Sequence, residues 1–247
     1  MYKRQAKELA EFFYDLGVTI YEGYGLTETS PVISVNYPGH LRFGSVGTAL
    51  AGVEIKIAPD GEIATKSACV MKGYFQKPSE TAEVLKDDWF YTGDLGKLDP
   101  DGFLFITGRK KELIVTSGGK KISPRPIEEL LEKDPMILRC VLFGEAKKFI
   151  TALIVPNQQA LLQYAQENKI SYTNYETLLK DKKIYDFLDQ KIQEQTQDLA
   201  SYEKIKYFAL LSQDFSQMAG ELTPTLKVKR EMVLQKYQHP LLPFYVE

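Results

Sequence analysis

The chain has 247 residues, 44% hydrophobic and 26% charged, the composition of a globular protein with room for one large domain or two ordinary ones. Its 31 Lys and Arg nearly balance 33 Asp and Glu, so the overall charge carries no footprint of a nucleic-acid partner or an anionic membrane surface. Two cysteines, Cys69 and Cys140, and two histidines, His40 and His239, are too few and too scattered for a redox pair, a multi-histidine metal site or a histidine-centred triad.

Both thiols are expected to be buried in a reducing compartment, and both histidines to lie at the surface. The opening residues are charged and the longest apolar runs, such as "ITALIVP", are only strand length. No transmembrane segment or secretory leader is therefore expected, and the location expected is cytoplasmic. Peripheral contact of a full-length protein with a membrane is left open.

The first 16 residues set Ala6, Leu9, Ala10, Phe13 and Leu16 at helical spacing, with Gly17 as a stop signal. The next four, "VTIY", read as a short strand, so the handover resembles half of an α/β unit, with a ligand-binding loop at the strand's carboxyl end. From about residue 44 the pattern turns to β: "VEIKIA" alternates, "PDG" turns it into "EIATKS", and "LGKLDPDGFLFITG" reads as a hairpin turning at Asp99 to Gly102. After Gly108 a basic run leads to a helix starting near Pro126, with Ile127, Leu130 and Leu131 on one side. Two strands, "ILRCVLF" and "FITALIVP", follow. Helical patterns cover roughly 157 to 168 and 175 to 200, the second with a stripe of Ile184, Phe187, Leu188, Ile192 and Leu199, and "IKYFALL" is the last strand. The fold class expected is an α/β remnant plus a small antiparallel β subdomain, followed by a smaller α+β C-terminal lobe. The divisions are 1–109, itself split into 1–43 and 44–109, and then 110–247.

The segment "YEGYGLTETSP" at 21–31 reads as a loop, because Gly23 and Gly25 have no side chain to bury and tolerate unusual backbone angles. Tyr24 offers a flat face to a planar ring, Thr27 and Thr29 offer hydroxyls, and Glu28 offers a hard oxygen suited to magnesium. Those groups suit a nucleotide. Composition alone favours the plainer reading, a solvated turn.

Four stretches, in this order and spacing, resemble the adenylate-forming superfamily of acyl-CoA synthetases, luciferases and peptide-synthetase adenylation domains: "YGLTETSP" at 24, "YTGD" at 91, "GRKKELIVTSGGKKISP" at 108 and "LTPTLKVKR" at 222. The last two are similar to the long-chain fatty acyl-CoA synthetases, since most other branches end in something like Pro-Lys-Thr-x-Ser-Gly-Lys. The resemblance implies ATP, Mg2+ and a fatty acid as reactants, with coenzyme A as the acyl acceptor. It also implies that Tyr24 and Gly25 line the adenine site, Thr27 contacts the α-phosphate, Glu28 holds magnesium, Asp94 accepts from the ribose hydroxyls and Arg109 reaches ribose or phosphate. Lys227 matches the lysine that joins the site during adenylation. Lys111 would be the pivot about which the smaller lobe rotates, bringing Ser117, Gly118 and Gly119 to the pantetheine arm of coenzyme A.

Two other readings stand beside this one: an acid ligase for aryl or short acids, and a non-catalytic interaction module. The Ser/Thr/Gly phosphate loop of the family has no counterpart here. The chain is accordingly expected to be the C-terminal part of a synthetase, inactive alone, and prone to self-associate or to pair with a missing N-terminal domain.

Overall fold

A computed structural model describes residues 7–245. The chain falls into two compact units, Met1–Lys111 and Glu112–Glu247, with mixed α/β content and several small sheets.

In the first unit α1 (Lys7–Asp15) ends at Gly17, whose amide donates to Tyr14 O while that of Val18 donates to Phe13 O. Ala6 and the rest of residues 1–6 lie outside the described residues. Ala10 is buried, whereas Leu9, Phe12, Tyr14 and Leu16 are exposed. The strand expected at 18–21 does not form. A strand exists only through its neighbours, and among the described residues none pairs with this segment. The strand starts later, inside the expected loop: β1 (Gly23–Gly25) pairs antiparallel with β2 (Val32–Val35), which pairs with β3 (Thr48–Ala49). Residues 7–49 thus build a helix and an antiparallel sheet, not half of a parallel α/β unit.

The turn residues after position 50 act as expected. β4 (Glu54–Ile57) and β5 (Glu62–Lys66) form one hairpin. After α2 (Pro78–Val84) and β6 (Leu85–Lys86), β7 (Trp89–Leu98) and β8 (Leu104–Arg109) form another, whose turn is closed by Asp99 Oδ1 accepting from the amides of Asp101 and Phe103. The five strands make one antiparallel sheet, β4-β5-β7-β6 with β8 on β7. Amides of Val46 and Leu104 bridge the two sheets by donating to Leu104 O and Gly47 O, over a shared core of Tyr24, Ile33, Val46, Ile63, Leu104 and Ile106.

The second unit opens with a small hairpin, β9 (Ile114–Val115) and β10 (Lys121–Ile122), and then α3 (Pro124–Leu131), which starts two residues before the expected Pro126. The central sheet has the order β11-β12-β13, from β11 (Ile137–Phe143), β12 (Thr151–Pro156) and β13 (Tyr207–Leu210), with β12 and β13 parallel. The crossover carries α4 (Gln158–Glu167), α5 (Tyr175–Leu179) and α6 (Lys182–Gln195). The expected single helix over 175–200 is therefore two. Asp181 breaks it because its carboxylate accepts from the Lys183 amide and caps a new helix.

Strand alternation divides this sheet's side chains between two cores. Cys140, Leu142, Ala152 and Ile154 join α3 to α6; Val141, Phe143, Leu153 and Val155 join Phe215, Leu222, Val233 and α7 (Arg230–Tyr237). β12 is buried along its whole length, which is why its sequence is unbroken apolar rather than alternating. The free edge of β11 is closed by α3 and the residue after it. Glu128 and Glu132, one helical turn apart, accept from the amides of Leu142 and Cys140, which are two residues apart on the strand. The repeats match: a helix rises about 6 Å over four residues and a strand about 6.8 Å over two.

Of the cysteines, Cys140 is buried as expected, but Cys69 is exposed. It lies in the irregular turn after β5, where no core covers it. His40 is half-buried, stacked between Tyr37 and Phe103. Among the described residues no helix is long and apolar enough to cross a membrane.

Candidate active-site residues

Three of the four motifs contribute residues to the first unit, and one residue from each, Tyr24, Asp94 and Arg109, comes together there. Asp94 sits in mid-strand on β7 and is 1% exposed. Its Oδ2 accepts from the Tyr24 hydroxyl at 2.9 Å and its Oδ1 from Arg109 Nε at 2.9 Å. β7 and β8 hold Asp94 and Arg109 as direct neighbours in register. Burial pushes the Asp94 carboxyl up from the ordinary aspartate range, while Arg109 and the Tyr24 hydroxyl oppose that shift. The Tyr24 phenol is raised further, first by burial and then by the Asp94 charge.

Tyr24 does not offer a stacking face. Its ring is 2% exposed inside the core, so the expectation of a free platform is corrected, and the hydroxyl is the part that meets Asp94. Gly25 has its own reason to be glycine. Its backbone is ordinary, but a β-carbon there would lie 1.8 Å from Pro31 O, so the close approach of β2 excludes every other residue. The outward member of the cluster is Arg109, whose side chain is 48% exposed.

The short helical turn Thr27–Thr29 follows. Thr27 is exposed, but Thr29 is buried and its hydroxyl is spent internally, accepting from the Leu26 amide and lying 2.6 Å from Pro31 O. It is unavailable to a ligand, contrary to expectation. Glu28 is half-buried. Its Oε1 accepts from the Tyr74 hydroxyl at 3.0 Å and its backbone carbonyl from the Met71 amide at 2.8 Å. Oε2 has no partner among the described residues. No group of three or more His, Cys, Asp or Glu side chains gathers around a metal position there.

Sequence reasoning missed a second carboxylate. Glu62, buried at the start of β5, accepts from the Gly93 amide through Oε1 and from Lys110 Nζ through Oε2 at 2.7 Å, and Lys110 also meets Asp60 at 2.6 Å. These contacts hold the Lys110 ammonium well above the ordinary lysine range, Asp60 first and Glu62 second. Nothing in the sequence distinguishes Glu62 from a strand-start surface glutamate. Arg109 and Lys110 are thus each pinned by ion pairs, whereas Lys111 is exposed and has none among the described residues.

In the second unit Ser117, Gly118 and Gly119 form the exposed turn between β9 and β10. Gly119 takes φ +74, a left-handed position that glycine alone accepts at little cost, and the Ser117 amide donates to Lys147 O. Lys227 stands just past the tip of a small hairpin. Leu222 and Val228 pair across it, the Thr223 amide donates to Lys227 O at 2.8 Å and the Lys227 amide to Thr223 Oγ1 at 3.0 Å. Within this unit the Lys227 ammonium meets no acceptor among the described residues. Arg230, three residues on, is clamped on the buried Glu128 and on Leu142 O.

Comparison with known proteins fits this arrangement. The profile "AMP-binding enzyme" matches residues 4–75, and "AMP-binding enzyme C-terminal domain" matches 111–247. The chain is 40% identical over 96% of its length to Long-chain-fatty-acid–CoA ligase FadD15 of Mycobacterium bovis, and 34% identical over 97% to Long-chain-fatty-acid–CoA ligase ACSBG1 of Bos taurus. It spans 40% and 36% of those proteins. Among solved structures it resembles o-succinylbenzoate CoA synthetase from Bacillus subtilis in complex with its acyl-adenylate intermediate, with a TM-score of 0.70 and 26% identity, over 93% of this chain and 44% of that one. The chain therefore belongs to the AMP-binding, adenylate-forming enzyme family, in company with long-chain-fatty-acid–CoA ligases.

Proposed function

We propose that these residues serve a ligase that joins a long-chain fatty acid to coenzyme A through an acyl-adenylate. A carboxylate oxygen attacks the α-phosphorus of ATP and the bond to pyrophosphate breaks. The thiol of coenzyme A then attacks the acyl carbon, releasing AMP and a proton. The observation that carries this reading is the Tyr24–Asp94–Arg109 cluster, assembled from motifs far apart in the chain into one hydrogen-bonded group around a buried carboxylate. Asp94 would take the ribose hydroxyls on Oδ1 as Arg109 swings toward phosphate, and Tyr24 would hold the other oxygen in place. Gly25 would keep that wall of the adenine site thin, and Thr27 would face the α-phosphate.

Glu28 fits a magnesium ligand, with one carboxylate oxygen uncommitted, because this ion keeps most of its waters and takes few protein ligands. When bound, the ion neutralises charge on the triphosphate. Lys227 would set its ammonium against charge developing at the α-phosphate, a contribution of about 3 kcal/mol or roughly a hundredfold in rate. Lys111 would be the pivot between the two half-reactions, and the Ser117 to Gly119 turn would meet the pantetheine arm. We take the exposed Leu9, Phe12 and Leu16 as a face that the rest of a large domain, or a second copy, covers. A second reading, an aryl-acid ligase, draws on the o-succinylbenzoate synthetase likeness.

Lys227→Ala tests the core of this reading in an active ligase containing the chain. Adenylate formation should fall about a hundredfold while thioester formation from supplied acyl-adenylate changes little. Equal losses in both half-reactions would remove the assignment. In the same assay the 247 residues alone should form no thioester, because they carry no phosphate loop.

A further inference from the structure

The hairpin that carries Lys227 holds a strained residue at its tip. Leu226, at its tip, sits at φ +61, a left-handed conformation that is strained for a branched side chain. Leu226 is also exposed, and the turn beside it is closed by the Leu226 amide donating to Thr223 O and the Thr223 amide to Lys227 O, each at 2.8 Å, with Gln217 Nε2 donating to Thr223 O and Pro224 O at 3.2 Å. Strain of this kind persists only where the ends of the segment are fixed.

One buried carboxylate fixes them. Glu221, 2% exposed, begins the hairpin. Its Oε2 accepts from the Ser216 amide at 2.7 Å, and its Oε1 accepts from Lys236 Nζ at 2.5 Å and the Tyr237 hydroxyl at 2.8 Å. Its own amide donates to Ser216 O and its carbonyl accepts from the Lys229 amide at 2.7 Å. A single residue thus joins the loop that enters the hairpin, the strand that leaves it and the last turn of α7. Leu222 and Val228 pack below it against Phe215 and Val233.

We propose that Glu221 is a positioning residue for Lys227, setting where the ammonium can reach during adenylate formation. This rests on the role proposed above for Lys227. Glutamine at 221 would be isosteric but would turn an amide NH2 toward one of the three donors. The hairpin's ends would then loosen without emptying the core.

The test is a double-mutant cycle on an active ligase containing this chain, reading ATP–pyrophosphate exchange and, separately, thioester formation from supplied acyl-adenylate. Glu221→Gln should slow exchange about tenfold and leave the thioester step within about twofold. In a Lys227→Ala background the same change should slow exchange by less than about twofold, because a residue acting only through Lys227 has nothing left to act on. Amide hydrogen exchange at Thr223 to Lys229 should quicken while that of β11 and β12 does not. Lys236→Met, on an exposed part of α7, should reproduce the effect more weakly if Glu221→Gln folds poorly. A tenfold loss that persists in the Lys227→Ala background, or equal loss in both half-reactions, would assign Glu221 a merely structural role. A normal exchange rate in Glu221→Gln overturns the proposal alone; a normal rate in Lys227→Ala overturns it together with the reading of Lys227.

Discussion

Arg230→Met puts a value on the ion pair that anchors α7. In the wild-type chain Arg230 donates to both Glu128 oxygens, at 2.9 and 2.7 Å, and to Leu142 O at 2.7 Å, while Glu128, 2% exposed, also accepts from the Leu142 amide. Methionine fills a similar volume but donates nothing. Glu128 is left as a buried charge with one amide for company, and Leu142 O loses the donor that Arg230 gave it on the strand's outer edge. Removing one partner of a buried pair costs about 3–5 kcal/mol. The Arg230 side chain is a quarter exposed, so water partly replaces it, and the expected loss is near the low end, about 3 kcal/mol. For a unit of this size that lowers the Tm by roughly 10 °C. Calorimetry of the whole chain should show it in one transition only. Trp89, the single tryptophan, belongs to the first unit, so its fluorescence transition should stay in place. Adding Glu128→Gln should recover a large part of the loss, because glutamine still accepts from the Leu142 amide and carries no charge. A loss below about 1 kcal/mol, or no recovery in the double variant, would refute the account of this pair as an edge-strand clamp.

Gly25→Ala should lower the Trp89 fluorescence transition by about 2–4 kcal/mol, since a β-carbon 1.8 Å from Pro31 O forces β1 and β2 apart; an unchanged midpoint would mean that Gly25 is not there for close approach. The thiols should separate cleanly under alkylation followed by mass spectrometry. Exposed Cys69 should react in the native chain. Cys140, whose pKa burial raises, should react only after unfolding, and native double labelling would contradict its placement.

Where a residue's role is set by its near neighbours, the sequence was a good guide. The turn at Asp99 to Gly102 carries its own hydrogen-bonding side chain, and the apolar run of β12 is what a strand buried on both faces requires. Where the role depends on a distant partner, the sequence was silent or misleading. "VTIY" has strand chemistry but no partner among the described residues, and Asp181 interrupts a helix whose apolar stripe continues past it. The glycines of "YEGYG" suggested a loop, yet Gly25 is glycine because β2 passes close by. The motif residues Asp94 and Arg109 were legible as candidates, and register pairing in one hairpin explains why they meet. Glu62 with Lys110 and Glu128 with Arg230 were not, because each of the four resembles an ordinary surface charge until the fold brings its partner alongside.

The ion pairs also bear on where a pivot can lie. Arg109 is fixed to Asp94, and Lys110 to Glu62 and Asp60, so the backbone up to residue 110 is tied to the sheet that carries the candidate nucleotide residues. Rotation about a bond before Lys110 would have to break its two contacts, one of them to a buried carboxylate that also holds the Gly93 amide beside Asp94. Rotation about Lys111 breaks none of them. The boundary between the compact units falls directly after that residue. A pivot at Lys111, as proposed, would therefore leave the Tyr24–Asp94–Arg109 group undisturbed. In the ligase proposed above, which would keep its adenylate in place between two half-reactions, that pivot would leave the nucleotide residues fixed.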